Sequence, residues 1–416
     1  MRCSLAARRC LALTAILAVG LPAPAARASQ PADPANPDEV KIAQQVDRRT
    51  RNPALGKDVS IVVMDRESNR VVYSHRATAP QLPASNMKVI TALLALAALG
   101  PDHRFSTRVV AGPDSNGIIL QAGGDPLLTK ANLRWLARAA APSLKRGRPV
   151  ILRLDDSLFP GSGRGPGWPA SYLGSVAGPV RALAVRGDRS QARQERAVAV
   201  FKQALERKGF RVLLRGGARA RSDAPVLAQI APHTVRQAMS VMLNESENNV
   251  AEVLFRHVAI ASGQPASWAG ARTAATELLG SLGIQTTGLR LMDGSGLSRA
   301  NRVNALALAQ VAALSRSDPR FAPMYAPTAM PISGRSGTLD DRYGRYSTKP
   351  SRCARGKIRA KTGTLFDTIG LTGVTTARDG MEKAFAILVN HRPQRVSALT
   401  TRRAVDGLAA TINGCW

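Results

Sequence analysis

The chain has 416 residues, 44% of them hydrophobic, with 58 Lys and Arg against 28 Asp and Glu for a formal charge of +30. This length exceeds one average domain and supplies a sizeable apolar core. The basic runs (Lys145, Arg146 and Arg148; Arg215, Arg219 and Arg221; Arg352, Arg355, Lys357 and Arg359) lack the interleaved aromatics that stack bases, which argues against a nucleic-acid binder.

Residues 1–28 read as a cleavable export signal: Arg2, Arg8 and Arg9, an apolar run from Leu11 to Leu21, and the small-residue site Ala26-Arg27-Ala28. The run is too short to span a bilayer, and no later stretch is long and apolar enough to do so. Cys10 precedes the run, against a lipoprotein site. Export predicts the periplasm or cell-wall space, and signal removal leaves Cys353 and Cys415. In an oxidising compartment that pair points to one disulfide, two buried thiols being the alternative. The basic surface then faces anionic cell-wall polymers and lipid head groups, unless it only reflects arginine-rich coding.

Residues 29–37, rich in Pro and Ala, form a leader. A helix is expected over Asp38–Arg49, then a hairpin of Val59–Met64 and Val71–Ser74. Pro83 introduces a helix from about Ser85 to Leu99, closed by Gly100 and Pro101 and apolar almost all round, so buried. Residues 105–223 change texture. Short β-like runs (Arg108–Ala111, Ile118–Ala122, Val150–Leu154, Val212–Leu214) accompany helices near Ala131–Ala141 and Gln191–Lys208, which indicates an inserted α+β domain. The segments 29–104 and 224–416 make up the main domain. It continues with a helix from Thr234, another over Ser246–Ala259, and a helical patch at Ala271–Leu282. Strands follow at Lys357–Thr364, Thr368–Thr376 and Glu382–Asn390, then a last helix over Gln394–Ile412. Hairpins in place of crossovers favour an antiparallel sheet covered by helices.

Three short motifs occur once each on this frame: Ser85-Asn86-Met87-Lys88, Ser246-Glu247-Asn248 and Lys361-Thr362-Gly363. A serine hydroxyl needs a base to become a nucleophile, and Lys88 lies one turn from Ser85 on the same helix face. Burial and a second cation, Lys361, both favour a neutral, basic Lys88. Ser246 can relay a proton to a leaving amine, and Asn248 can hold a peptide carbonyl and orient Lys88, while Glu247 points elsewhere. Lys361 and Thr362 lie on a strand that a peptide can extend, where they would hold a carboxylate. Gly363 would admit the ligand close to the backbone, and the Thr364 N–H would be an oxyanion donor. His75, His103, His233, His257 and His391 are scattered without metal-ligand spacing, and no G-x-S-x-G elbow or phosphate loop is present.

Longer runs carry a resemblance. Pro83 to Ala92, Gly123-Gly124-Asp125-Pro126, Asn244 to Asn249, Asp293-Gly294-Ser295-Gly296-Leu297-Ser298 and Ala360 to Leu365 resemble the D-alanyl-D-alanine carboxypeptidase/endopeptidase family, the class C low-molecular-mass penicillin-binding proteins of peptidase family S13. The resemblance implies the α+β penicilloyl-serine transferase (β-lactamase/transpeptidase-like) fold, a five-stranded antiparallel sheet flanked by helices with a helical subdomain and inserts between the first two motifs. It also implies acylation of Ser85 by peptidoglycan stem peptides or β-lactams, with no metal or cofactor. The stretch between Ser85 and Ser246 is shorter than in larger members, so one inserted domain is expected to be reduced or absent near Arg186 to Gln191. Glu247 stands where aspartate is commoner. A β-lactamase of the same fold and a non-catalytic, basic wall-binding protein are the competing readings, and no pattern specifies an oligomeric state.

Overall fold

The computed structural model describes residues 36–161 and 163–416; the expected signal segment lies outside the described residues. Helix α1 (Pro37–Thr50) opens with a proline, carries Asp38 and Glu39 in its first turn and ends on Arg48 and Arg49, all matched to the helix dipole. The hairpin follows as β1 (Asp58–Asp65) and β2 (Val71–His75). A single turn at Ala84–Asn86 leads into α2 (Met87–Leu99), which Gly100 ends at φ 77°. Next come β3 (Thr107–Ala111), β4 (Gly117–Gln121), α3 (Lys130–Ala140), β5 (Val150–Asp155), α4 (Arg193–Glu206), β6 (Val212–Leu214) and β7 (Val226–Ile230). Helices α5 (Val235–Asn244), α6 (Asn248–Ala261), α7 (Trp268–Ser281) and α8 (Ala305–Ser317) precede β8 (Ile358–Leu365), β9 (Thr368–Thr376), β10 (Glu382–Asn390) and α9 (Ala398–Ile412).

The strands form two sheets. In the first, ordered β2-β1-β10-β9-β8, every neighbouring pair is antiparallel, so N- and C-terminal segments complete one sheet. Both faces are covered, and alternate residues sort between them. Ile61, Val63, Phe385 and Ile387 face the layer containing α1 and α9, whereas Val62, Met64, Ala384 and Ala386 join the larger core around α2 and the other helices. Burial on both sides explains why β1 and β10 read as continuous apolar runs. The second sheet, ordered β6-β5-β4-β3-β7, is mixed: β4, β5 and β6 are parallel, while β3 is antiparallel to both its neighbours.

Some boundaries differ from expectation for physical reasons. Helix α6 starts at Asn248, because Ser246 takes the left-handed conformation (φ 60°) and Glu247 is the N-cap, its carboxylate accepting the Val250 N–H at 3.0 Å. Helix α8 was not anticipated. Its Ala- and Leu-rich run is buried on most sides and so lacks a polar stripe, and the Asn304 N-cap is its one clear signal. The last helix begins at Ala398, after the Ser397 cap, not at Gln394.

Candidate active site

The first motif is built on a strained turn. Ala84 adopts φ 46°, rare for a residue with a Cβ, and this places Ser85 just ahead of α2. Ser85, Lys88 and Thr91 then follow at three-residue spacing along one helix face. The Lys88 ammonium is wholly buried and donates to three acceptors: Ser85 Oγ at 3.0 Å, Asn248 Oδ1 at 2.8 Å and the Ser295 carbonyl at 2.7 Å. Thr91 Oγ1 donates to the Gly294 carbonyl at 2.6 Å, so the helix grips the 293–298 loop at two points. Burial pulls the Lys88 pKa down to about 8, against the opposing pull of Asp293, Glu252 and Glu247.

The second motif closes on the first because the chain breaks at Ser246 between α5 and α6. Ser246 Oγ accepts from Lys361 Nζ at 3.0 Å. Asn248 is oriented from behind, its amide donating to the Val176 carbonyl at 2.8 Å, which fixes Oδ1 toward Lys88. Lys361 on β8 is also fully buried and donates to its neighbour's Thr362 carbonyl at 2.8 Å. Burial, together with the positive charges of Lys88 and Arg345, holds its pKa well below the usual lysine range. The Lys88 charge thus adds to burial in disfavouring the charged form of Lys361.

Beneath the site lie two buried carboxylates with no place in the three motifs. Glu252 on α6 accepts N–H groups from Ser295 (2.8 Å), Trp268 Nε1 (2.9 Å) and Gly294 (3.2 Å). Burial, with the neighbouring Asp293 charge, pushes its pKa up to about 7. Asp293 accepts from Gly296, Ser298, Trp168 and Asn301. Together they shape the Asp293-to-Ser298 loop that presents the Ser295 carbonyl to Lys88. The run itself was visible in the sequence, while the part played by Glu252 was not, since no motif singles out this carboxylate among the polar residues Asn248, Asn249 and Arg256 on its helix face.

Gly363 has a packing task. A Cβ there would lie 2.3 Å from Asn86 Nδ2 and 2.9 Å from the Pro83 carbonyl. Its cross-strand partner Gly370 is equally filled by Asn86, at 2.2 Å. Two facing glycines thus let the serine turn sit directly on the sheet.

Two cavities meet at Ser85, Ser246 and Thr364. One, about 500 Å3, is lined also by Tyr172, Val176, Asn248, Leu297 and Phe366. The other, about 230 Å3, continues past Thr362 to Thr338, Tyr343, Arg345 and Arg402. Thr362 and Thr338 hydroxyls are 2.7 Å apart. Among the described residues no group of three or more His, Cys, Asp or Glu is arranged to hold a metal ion, and no helix is long and apolar enough to cross a membrane. Cys353 and Cys415 are joined by a disulfide, with Cα atoms 6.1 Å apart.

The model of the D-Ala-D-Ala carboxypeptidase 3 (S13) family matches residues 42–193 and 172–412. The chain belongs to this family. Among relatives, it is 34% identical over 393 residues to carboxypeptidase DacB of Mycolicibacterium smegmatis, covering 88% of this chain and 82% of that one. It is 28% identical over 445 residues to a D-alanyl-D-alanine carboxypeptidase of Actinomadura, covering 84% and 81%. The fold matches that of penicillin binding protein 4 (dacB) from Haemophilus influenzae with a TM-score of 0.76 at 21% identity, over 86% of this chain and 98% of that one. The penicilloyl-serine transferase architecture of this S13 member is thereby shown.

Proposed function

We propose that this S13 family member is an exported serine D-Ala-D-Ala carboxypeptidase and D,D-endopeptidase that acts on peptidoglycan stem peptides through an acyl-enzyme on Ser85, and that β-lactams acylate the same serine. One observation carries this reading: a buried lysine with a pKa near 8 donates to Ser85 Oγ at 3.0 Å in a cleft that also holds Ser246. Two of the three Lys88 acceptors, Asn248 Oδ1 and the Ser295 carbonyl, have no hydrogen to give. The proton lost from Lys88 is therefore the one facing Ser85, and the resulting lone pair points at the hydroxyl.

Neutral Lys88 takes the Ser85 proton as Oγ bonds to the carbonyl carbon of the penultimate D-alanine. The C–N bond then breaks, and the leaving amine receives a proton through the Ser246 hydroxyl, backed by Lys361. Water attacks the ester, and Ser85 regains its proton on release of the acid. The N–H groups of Ser85 and Thr364 serve the oxyanion, and Thr362 serves the substrate carboxylate. The larger cavity suits the acyl side and the smaller one the leaving side. In this reading the insert runs past residue 223 to Ile230, because β7 pairs with β3 in the second sheet, apart from the sheet that carries Lys361.

Wild-type protein should release D-alanine from a stem pentapeptide ending in D-Ala-D-Ala, and Ser85→Ala should release none. Undiminished release by Ser85→Ala would overturn the reading. The same assay on a cross-linked dimer measures the endopeptidase component.

A further inference from the structure

The smaller cavity must receive the negatively charged end of the leaving group, yet Lys361 is poorly placed to touch it. Its ammonium is fully buried, is engaged by Ser246 Oγ and the Thr362 carbonyl, and is absent from the cavity wall. The cations that do line the cavity are Arg345 and Arg402. Arg345 is committed, since its guanidinium forms a two-pronged pair with Asp406 at 2.7 and 2.5 Å, both side chains buried. Arg402 is not. It stands one turn before Asp406 on α9, where an i, i+4 ion pair would ordinarily form, but Arg345 occupies both Asp406 oxygens. Among the described residues no carboxylate lies within ion-pair distance of Arg402, and none of the described hydrogen bonds involves its side chain.

Nearby Arg392 is likewise engaged, with the Phe366 and Val396 carbonyls. Arg402 is therefore a half-buried guanidinium with its donors uncommitted, facing a cavity whose other walls carry the Thr362, Thr364 and Thr338 side chains. Burial and the repulsion of Arg345 and Arg392 work against its charge. An anion entering the cavity would relieve that repulsion. A planar fork of donors beside two strand threonines is suited to a carboxylate.

We infer that Arg402 is a specificity-determining residue that binds the α-carboxylate of the leaving D-amino acid, in concert with Thr362 and Thr364, while Lys361 acts through Ser246. The inference rests on the Ser85 acyl-transfer reading and names a contact within that site. It accounts for one buried arginine being paired and its neighbour left open: Asp406 holds Arg345 as a fixed wall and leaves Arg402 for the ligand.

The test uses two thioesters with the same N-acyl-D-alanyl group and different leaving groups, thioglycolate with a free carboxylate and its uncharged methyl ester. Both give the same acyl-enzyme, so the ratio of their kcat/KM values isolates recognition of the carboxylate. Arg402→Ala should reduce that ratio by about 10- to 100-fold, the range for one charge-assisted interaction. Arg402→Lys should restore part of it, since lysine keeps the charge and loses the fork. Because the ester reports on the same variant, a general loss of folding lowers both rates and leaves the ratio alone. An unchanged ratio in Arg402→Ala would overturn the assignment, whatever happens to the individual rates. Wild-type protein that hydrolyses neither thioester and takes no penicillin on Ser85 would bring down the acyl-transfer reading itself, a result distinct from a preserved ratio.

Discussion

Lys88 uses all three of its N–H groups inside the protein, and only the one facing Ser85 can be given up without orphaning an acceptor. Acylation requires that loss, so its second-order rate constant should rise with pH through about 8 and level off above it. Measuring penicillin acylation between pH 6 and 10 checks this; a rate flat across that range would exclude Lys88 as the base. Lys88→Ala should slow acylation by about 10²- to 10⁴-fold while the protein stays folded. Glu252 raises the proton affinity of Lys88, so Glu252→Gln should move the rising limb to lower pH, a shift that loosened packing alone would not give a fixed sign. Ser85, the lysines and Asn248 were legible in the sequence because the proposed chemistry requires those residue types at short, fixed spacings. Arg402, Thr338 and Glu252 were not. Each lies in a different element, and only the packing of α9, α6 and the 337–343 segment against β8 and the 293–298 loop brings them to the site.

At the scale of elements, the contact between the serine turn and β8 depends on having no side chain at Gly363. Gly363→Ala would force its methyl group into Asn86 and the Pro83 carbonyl. Overpacking of this kind costs about 1–3 kcal/mol. Because it displaces Ser85 from Lys88, acylation should fall by about 10²-fold, more than the change in melting temperature would imply. Equal acylation by wild type and variant would show that the turn tolerates the shift. The expected strands β1, β8, β9 and β10 appeared within a residue or so, since hairpin spacing and continuous apolar runs announce doubly covered strands. Helix α8 and strand β7 escaped notice for opposite reasons: one is buried too evenly to show a period, and the other is a short edge strand with exposed Val226.

Across the whole molecule, distant segments are tied together by buried charge and by a covalent link. Lys383 on β10 is buried among Glu39, Asp65 and Asp379 at 2.8, 2.7 and 2.9 Å, joining α1, β1 and the turn before β10. Although burial alone would raise the Asp65 pKa, the Lys383 and Ser68 bonds hold it at about 2. Its contribution to stability is therefore complete above the ordinary carboxylate value and lost as pH falls toward 2. Lys383→Met should cost about 3–5 kcal/mol at pH 7, and urea denaturation should show the gap from wild type narrowing in acid as Asp65 is neutralised. The Cys353–Cys415 disulfide, spanning a separation of 62 residues, closes a loop whose chain-entropy contribution is about 4 kcal/mol. A Cys353→Ser, Cys415→Ser double variant should melt at lower temperature yet still acylate, because the bridge lies outside the cleft. In the proposed mechanism these distant pieces assemble one acyl-transfer centre on Ser85. Mass spectrometry of the protein after incubation with penicillin, followed by peptide mapping, tests it most directly. A penicilloyl adduct confined to Ser85 and missing in Ser85→Ala is the predicted result, whereas no adduct or an adduct elsewhere would contradict it.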